Sequence, residues 1–179
     1  MSAKYFREKI NDALPKGVYI GDPCYILPDT VYYGVWEDQY EFEEGVIRTK
    51  GGKFVMFVSG TSFGDGVYEG KAEIQKGSER EINKCDLPVD AGVIAIVNME
   101  FAKSDWKSDS LFDDNCLIVE EPVSGVECET DEDGSFEFRF NTKNAKYRVD
   151  TYTGEYYEDE EYVAEDDYDD DDDLDEDEY

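Results

Sequence analysis

The chain has 179 residues, with 47 Asp or Glu against 17 Lys or Arg, no histidine and a formal net charge of −30. Affinity for nucleic acid comes largely from Lys and Arg displacing counterions condensed on phosphates, so this charge disfavours direct binding to DNA or RNA. Without histidine there can be no Ser-His or Cys-His catalytic pair, no imidazole metal ligand and no histidine proton shuttle.

The length fits one compact domain, residues 1–152, followed by an acidic extension, residues 153–179. Ser2 is positioned to cap a short helix in which Phe6, Ile10, Ala13 and Leu14 share a face, stopped by Pro15 and Gly17. A β-type stretch at Val18-Tyr19-Ile20 breaks at Gly21-Asp22-Pro23 and resumes as Cys24-Tyr25-Ile26-Leu27 before Pro28. Asp29 or Thr30 then caps a second short helix reaching about Tyr40.

From Gly45 onward the pattern is of hairpins. Val46 to Thr49 and the apolar run from Phe54 to Val58 flank a Lys50-Gly51-Gly52 turn. Further strand candidates are Val67 to Tyr68, Ala72 to Gln75, Val93 to Val97, Leu117 to Val119 and Val126 to Glu129. Phe136, Phe138 and Phe140 alternate with Glu137 and Arg139, as a strand buried on one face requires, and Tyr147 to Tyr152 is placed to pair beside it. The expected fold is α+β: mainly antiparallel β hairpins with one or two short helices and a disordered acidic tail.

Four cysteines, Cys24, Cys85, Cys116 and Cys128, lie far apart with no C-x-x-C, and read as reduced thiols. The N-terminal Met-Ser-Ala-Lys-Tyr-Phe-Arg-Glu has no apolar signal core, and no apolar run approaches the roughly 20 residues of a membrane-spanning helix. The expectation is a cytoplasmic protein, in the host cytoplasm if phage-encoded, with no membrane partner.

Three segments have the composition of a site: Tyr19 to Tyr25 (YIGDPCY), Ser59 to Tyr68 (SGTSFGDGVY) and Val89 to Gly92 (VDAG). Together they resemble a widespread family of small uncharacterised bacterial and phage proteins that show, in this order, G-D-x-C-Y, T-x-x-G-D-G-x-Y and V-D-[SA]-G. The resemblance spans roughly residues 17–98 and implies a related β-rich fold, without an activity. Read functionally, Asp22, Cys24, Asp65 and Asp90 converge on a pocket where carboxylates bind a cation or act as acid and base beside a thiol. Read structurally, Gly-Asp-Pro and Gly-Asp-Gly are good turns, and this is the favoured reading. No residue is assigned as catalytic, and no metal site or cofactor is assigned. Taking Glu129 as the first position of a calcium loop puts Phe140 where a bidentate Glu is needed. Gly51-Gly52-Lys53 lacks the remainder of a phosphate loop, and four singly placed cysteines are unlike a structural zinc site.

The stronger signal is the tail. Residues 155–179 hold 17 acids and no base, leaving 30 acids against 17 bases in the rest of the chain. Extended, the run Asp169, Asp170, Asp171, Asp172 and Asp173 sets a charge every ~3.4 Å, the phosphate spacing of one DNA strand. Tyr156, Tyr157, Tyr162, Tyr168 and Tyr179 interleave these acids and supply aromatic surface for stacking on arginine. A fuller duplex mimic needs a second row of acids, for which Glu37, Asp38, Glu41, Glu43 and Glu44 are the candidates. The expected function is therefore that of an acidic, phage-type, binding or inhibitory protein. It engages a basic, nucleic-acid-binding host protein by polyanion mimicry. The alternatives are a small enzyme or ligand-binding domain using the pocket of Asp22, Cys24, Asp65 and Asp90, and a low-affinity divalent-cation binder. A solubilising role for the tail, or a fold-back of the tail onto Lys103, Lys107, Lys143 and Lys146, is also compatible with the sequence.

Overall fold

The computed structural model describes residues 6–61, 63–112, 117–130 and 135–152. Eleven strands run through them: β1 Phe6–Ile10, β2 Val18–Gly21, β3 Gly45–Arg48, β4 Phe54–Gly60, β5 Gly66–Lys76, β6 Glu79–Val89, β7 Val93–Asn98, β8 Ile118–Val119, β9 Ser124–Thr130, β10 Phe136–Asn141 and β11 Lys146–Tyr152. They form two sheets, one ordered β1-β9-β10-β11-β5-β6 and the other β3-β4-β7-β2-β8. Every pairing is antiparallel. The fold is thus α+β and dominated by antiparallel sheet.

The two sheets differ in how much of each is covered. Strands of the six-stranded sheet alternate in burial: Phe136, Phe138 and Phe140 are buried and the residues between them are not. Arg139, on the open face, reaches Glu127 on β9 at 3.0 Å. The five-stranded sheet is buried on both faces, which is why Phe54 to Val58 and Val93 to Val97 read as continuous apolar runs. On one face, Val18, Ile20, Phe57, Ile94 and Ile96 meet Tyr68, Leu87, Val126, Phe138 and Val149 of the other sheet. On its far face, Tyr19, Met56, Val58, Ala95 and Val97 pack under Ile26, Leu27, Trp36 and Phe112.

A bulge reconciles this layering with β4. Ile47 pairs with Met56 but Arg48 pairs with Phe54, so Val55 is an inserted residue. The extra residue shifts the alternation by one. Phe54 and Phe57 therefore both face the inter-sheet core, while Val55 and Met56 both face the other.

The covering layer is a helical segment over residues 29–40, whose middle, Tyr32–Glu37, widens into a π-helical turn. Pro28 opens it, its carbonyl accepting from the amides of Val31 at 3.0 Å and Tyr32 at 2.9 Å. Beyond Tyr40 the chain turns through Glu41 and Phe42, both with positive φ of 53° and 58°. Among the described residues no helix is long and apolar enough to cross a membrane.

Four expectations need correction. The N-terminal helix fails in its described part, because Phe6–Ile10 is β1, paired with β9. Phe6 and Ile10 fall on one face of a strand as well as on one face of a helix, and β9 offers an open ladder of backbone partners that an isolated helix of this length lacks. Cys24 to Leu27 is no strand, since Pro23–Tyr25 forms a 3-10 turn capped by the Asp22 side chain. Val67 to Tyr68 and Ala72 to Gln75 are parts of one 11-residue strand, β5, whose partner β6 lies in the polar stretch before Lys84 and beyond it. Finally, Cys24 and Cys128 are free thiols, but Cys85 is disulfide-bonded, a pairing that spacing along the chain does not reveal. Residues 131–134, Cys116 and the tail lie outside the described residues.

Candidate functional site

The register of the sheets explains why three separate motifs meet. Gly21 ends β2 opposite Ala95, Gly60 ends β4 opposite Val93, and Gly66 begins β5 opposite Val89. The chain crosses from one sheet to the other between β4 and β5 and returns between β6 and β7. Both crossings therefore lie at one corner of the sandwich, where the turn after β2 also arrives.

Asp22 ties that corner together. Its side chain is wholly buried. Oδ1 accepts from the Cys24 amide at 2.9 Å, and Oδ2 accepts from the amides of Asp90 at 2.6 Å and Ala91 at 2.7 Å. Three amide donors occupy both oxygens, so a buried acidic group is satisfied by backbone rather than by a cation. The second crossing is pinned in the same manner. The Thr61 amide donates to the Gly92 carbonyl at 3.0 Å, and the hydroxyls of Thr61 and Tyr68 donate to the Gly64 carbonyl at 2.8 and 2.7 Å. The glycine at 92 has φ of +72°, which an L side chain adopts only with strain.

Asp65 and Asp90 stand exposed around this staple. The Tyr25 hydroxyl donates to Asp90 Oδ2 at 2.7 Å. Burial first, and then the hydrogen bond and charge of Asp90, push the Tyr25 phenol well above its ordinary value. Cys24 is half-buried, and its thiol is pushed up by burial first, then by the negative charges of Asp22, Asp90 and Asp65. The four residues proposed from sequence lie close together, and burial first, then these carboxylates, move the thiol further above neutral pH, so it stays protonated there. A protonated thiol is a poor nucleophile. Burial first, and then Cys24 and Asp22, also raise Tyr32 to about 12.

Among the described residues no group of three or more His, Cys, Asp or Glu is placed to hold a metal ion. The arrangement at this corner can therefore brace two crossings and present Tyr25, Asp65 and Asp90 to solvent. Sequence reasoning quoted Tyr25, Thr61 and Tyr68 within the motifs without assigning them a part. Their signal was present as hydroxyl-bearing residues flanking the Gly-Asp turns.

A second surface is built from the helical segment. Tyr32, Trp36 and Phe42 pack in edge-on and tilted contacts, with centroids 5.3 Å apart for Tyr32 and Trp36 and 4.9 Å for Trp36 and Phe42. The Trp36 indole N–H donates to the Glu43 carbonyl at 2.8 Å. This cluster holds up a turn on which Glu37, Asp38, Glu41 and Glu43 are all exposed, beside Tyr33 at 48% and Phe42 at 39% exposure. None of these acids, nor Glu44, forms an ion pair among the described residues. In contrast, Glu73, Glu127, Glu129 and Glu137 on the open face of the six-stranded sheet are all bridged by arginine.

The tail residues assigned to partner binding, Tyr156, Tyr157, Tyr162, Tyr168, Asp169 to Asp173 and Tyr179, lie outside the described residues. Comparison of the chain with protein-family models, with curated proteins and with solved structures finds no match.

Proposed function

We propose that this protein binds a basic, nucleic-acid-binding protein and competes with that protein's natural polyanion. Its acidic tail supplies one row of charge and the acid-aromatic turn of residues 37–44 supplies another. The observation that carries the reading is that turn: exposed carboxylates with no basic partner among the described residues, set among exposed aromatics. They are held by a backbone that places two non-glycine residues at positive φ. Such conformations cost on the order of 1–3 kcal/mol each and concentrate where a surface is used. Acids placed for stability alone are better paired, as those of the six-stranded sheet are.

Chemically, a run of carboxylates meets the arginines and lysines of a groove that otherwise holds phosphates, and tyrosine or phenylalanine stacks on guanidinium. Steering by a field of this size raises association rates by ~10 to 10³-fold at low salt. The motif resemblance to phage and bacterial proteins gives the reading its setting: an inhibitory protein acting in the host cytoplasm, where its target would be. The Cys85 disulfide tests that placement, because a reducing cytosol keeps such bonds open. Thiol titration of the denatured, unreduced protein separates the two settings: Cys24 and Cys128 react but Cys85 does not if the bond holds in the cell, and Cys85 reacts as well if the chain works in a reducing host cytoplasm.

The experiment on function is capture of proteins from a bacterial lysate by the full chain and by a chain ending at Gly154, at low and high salt. The expected result is retention of one or a few nucleic-acid-binding proteins by the full chain. They should be released by salt or by added duplex DNA, and retained on the order of tenfold less by the shortened chain. Equal capture by both chains, or capture indifferent to DNA, would refute mimicry by the tail.

A further inference from the structure

The described surface is not acidic throughout. At the end of the six-stranded sheet away from the Asp22 corner, the β10–β11 turn and the outer part of the β5–β6 ribbon enclose a groove of about 870 Å³. Five bases, Arg80, Arg139, Lys143, Lys146 and Arg148, line it, against two acids, Glu73 and Glu127. In a chain with 17 bases in all, this is a marked concentration.

The arginines are already engaged. Arg80 bridges Glu73 at 3.0 Å, Arg139 bridges Glu127 at 3.0 Å and Arg148 bridges Glu137 at 3.0 Å. Lys143 and Lys146 are exposed and have no ion-pair partner among the described residues. The turn that carries Lys143 is fixed, because the Thr142 hydroxyl accepts from the amides of Asn144 at 3.3 Å and Ala145 at 3.1 Å. Phe140, which stacks on Tyr147 with centroids 4.9 Å apart, belongs to the buried face of the sheet, so what the groove offers a ligand is basic and polar. Lys103 and Lys107, which the sequence left as equal candidates for a fold-back, pair with Asp109 at 3.8 Å and Glu120 at 3.0 Å.

We propose that this groove is the resting dock of the chain's own acidic segment, residues 165–173, and that a basic partner must draw the segment out to bind it. The proposal rests on the tail being the partner-binding element. The segment holds eight acids and Tyr168 in nine residues, without a base, and so matches in charge two exposed lysines that have no acidic partner among the described residues. The reach also fits. Tyr152 pairs with Glu69 and Lys146 with Gln75, so the chain leaves β11 about 20 Å from the groove at ~3.4 Å per residue. Residue 165 follows Tyr152 by 13 positions, which span up to ~45 Å extended and roughly 20 Å as a flexible coil. A tether whose mean span equals the distance to be bridged gives an effective concentration near the millimolar range, the condition under which individually weak exposed ion pairs still populate a docked state.

The test uses amide NMR spectra of the full chain and of a full chain with Asp169, Asp170, Asp171, Asp172 and Asp173 all replaced by Asn. At low salt the amides of Lys143, Asn144, Lys146 and Arg148 should differ between the two chains. Those of Asp22 and Ala91 should coincide, and the differences should vanish near 1 M salt, where screening acts over ~3 Å. A full chain carrying Lys143→Gln and Lys146→Gln should bind polylysine several-fold more tightly than one carrying Lys103→Gln and Lys107→Gln, which has the same net charge. Coincident groove amides at low salt, or equal polylysine affinity of the two lysine variants, would overturn the dock. Failure of the partner reading has a separate signature: the groove amides shift as expected, and no lysate protein distinguishes the full chain from the chain ending at Gly154.

Discussion

Replacement of Asp22 by Asn tests whether the convergent motifs brace the fold or serve as a reaction centre. The carboxylate accepts three backbone amides from a wholly buried position. Asparagine has one acceptor oxygen. Placed where Oδ2 lies, it keeps the Asp90 and Ala91 amides and sets its NH2 group against the Cys24 amide. Losing one charge-assisted bond costs about 1.5–3 kcal/mol, and the two that remain weaken by about 1 kcal/mol each on becoming neutral. Burying an amide rather than a charge returns about 1–2 kcal/mol. The net loss is about 1.5–4 kcal/mol, or roughly 3–16 °C in Tm for a domain of this size. Asp22→Ala, which strands all three donors, should cost about 3–6 kcal/mol. The assay is urea unfolding followed by the fluorescence of Trp36 and Trp106, in which the midpoint should fall at constant slope. Asp90→Asn, at an exposed carboxylate whose tyrosine partner can still donate, should stay within about 1 kcal/mol. If Asp22→Asn unfolds within about 0.5 kcal/mol of the parent, the bracing argument is wrong and the buried carboxylate has another purpose.

Three further outcomes are expected. Gly17→Ala should cost more than about 3 kcal/mol, measured by the same unfolding assay, because φ is +88° and a Cβ there would sit 1.8 Å from the Val119 carbonyl oxygen. Cys24 should alkylate far more slowly than a free thiol at pH 8, followed by mass spectrometry with iodoacetamide, since burial first and then Asp22, Asp90 and Asp65 raise its thiol; a rate equal to that of free cysteine would contradict the geometry. Asp12 receives two hydrogen bonds from the Arg48 guanidinium, at 3.0 and 3.1 Å, which hold its carboxyl below the ordinary 3.8. The sign follows: a folded value below the unfolded one stabilises at pH above about 3.9 and is lost as pH falls through the folded value. Arg48→Met should therefore lower stability at pH 6 and narrow its gap from the parent below pH 3, read from thermal melts across that range.

Much of the scaffold was legible because its signals are local. Phe136, Phe138 and Phe140 alternate, Lys50-Gly51-Gly52 punctuates a hairpin, and each pattern needs only neighbouring residues to be recognised. The N-terminal segment was misread because five to nine residues with apolar positions at 6 and 10 satisfy a helical and an extended period alike. The ladder on β9 chose between them. The long β5–β6 ribbon was hidden for a related reason: the outer half of β6, from Glu79 to Lys84, is nearly all exposed and shows no apolar alternation, although Ala72 and Ile74 opposite it are buried.

The sequence by itself determined the charge, the absence of imidazole chemistry, the antiparallel hairpin character and the set of Gly-Asp turns, since these follow from composition and short-range backbone preference. Only the tertiary structure decided what those residues do. It brought Asp22 within bonding distance of amides 68 and 69 positions away, bonded Cys85, paired Lys103 and Lys107 while leaving Lys143 and Lys146 exposed beside a groove, and left the acids of residues 37–44 without an ion-pair partner among the described residues. Those outcomes depend on strand register and on the bulge at Val55, because a shift of one residue moves every side chain of a strand to the opposite face. Contacts of that range are set by how the two sheets pack.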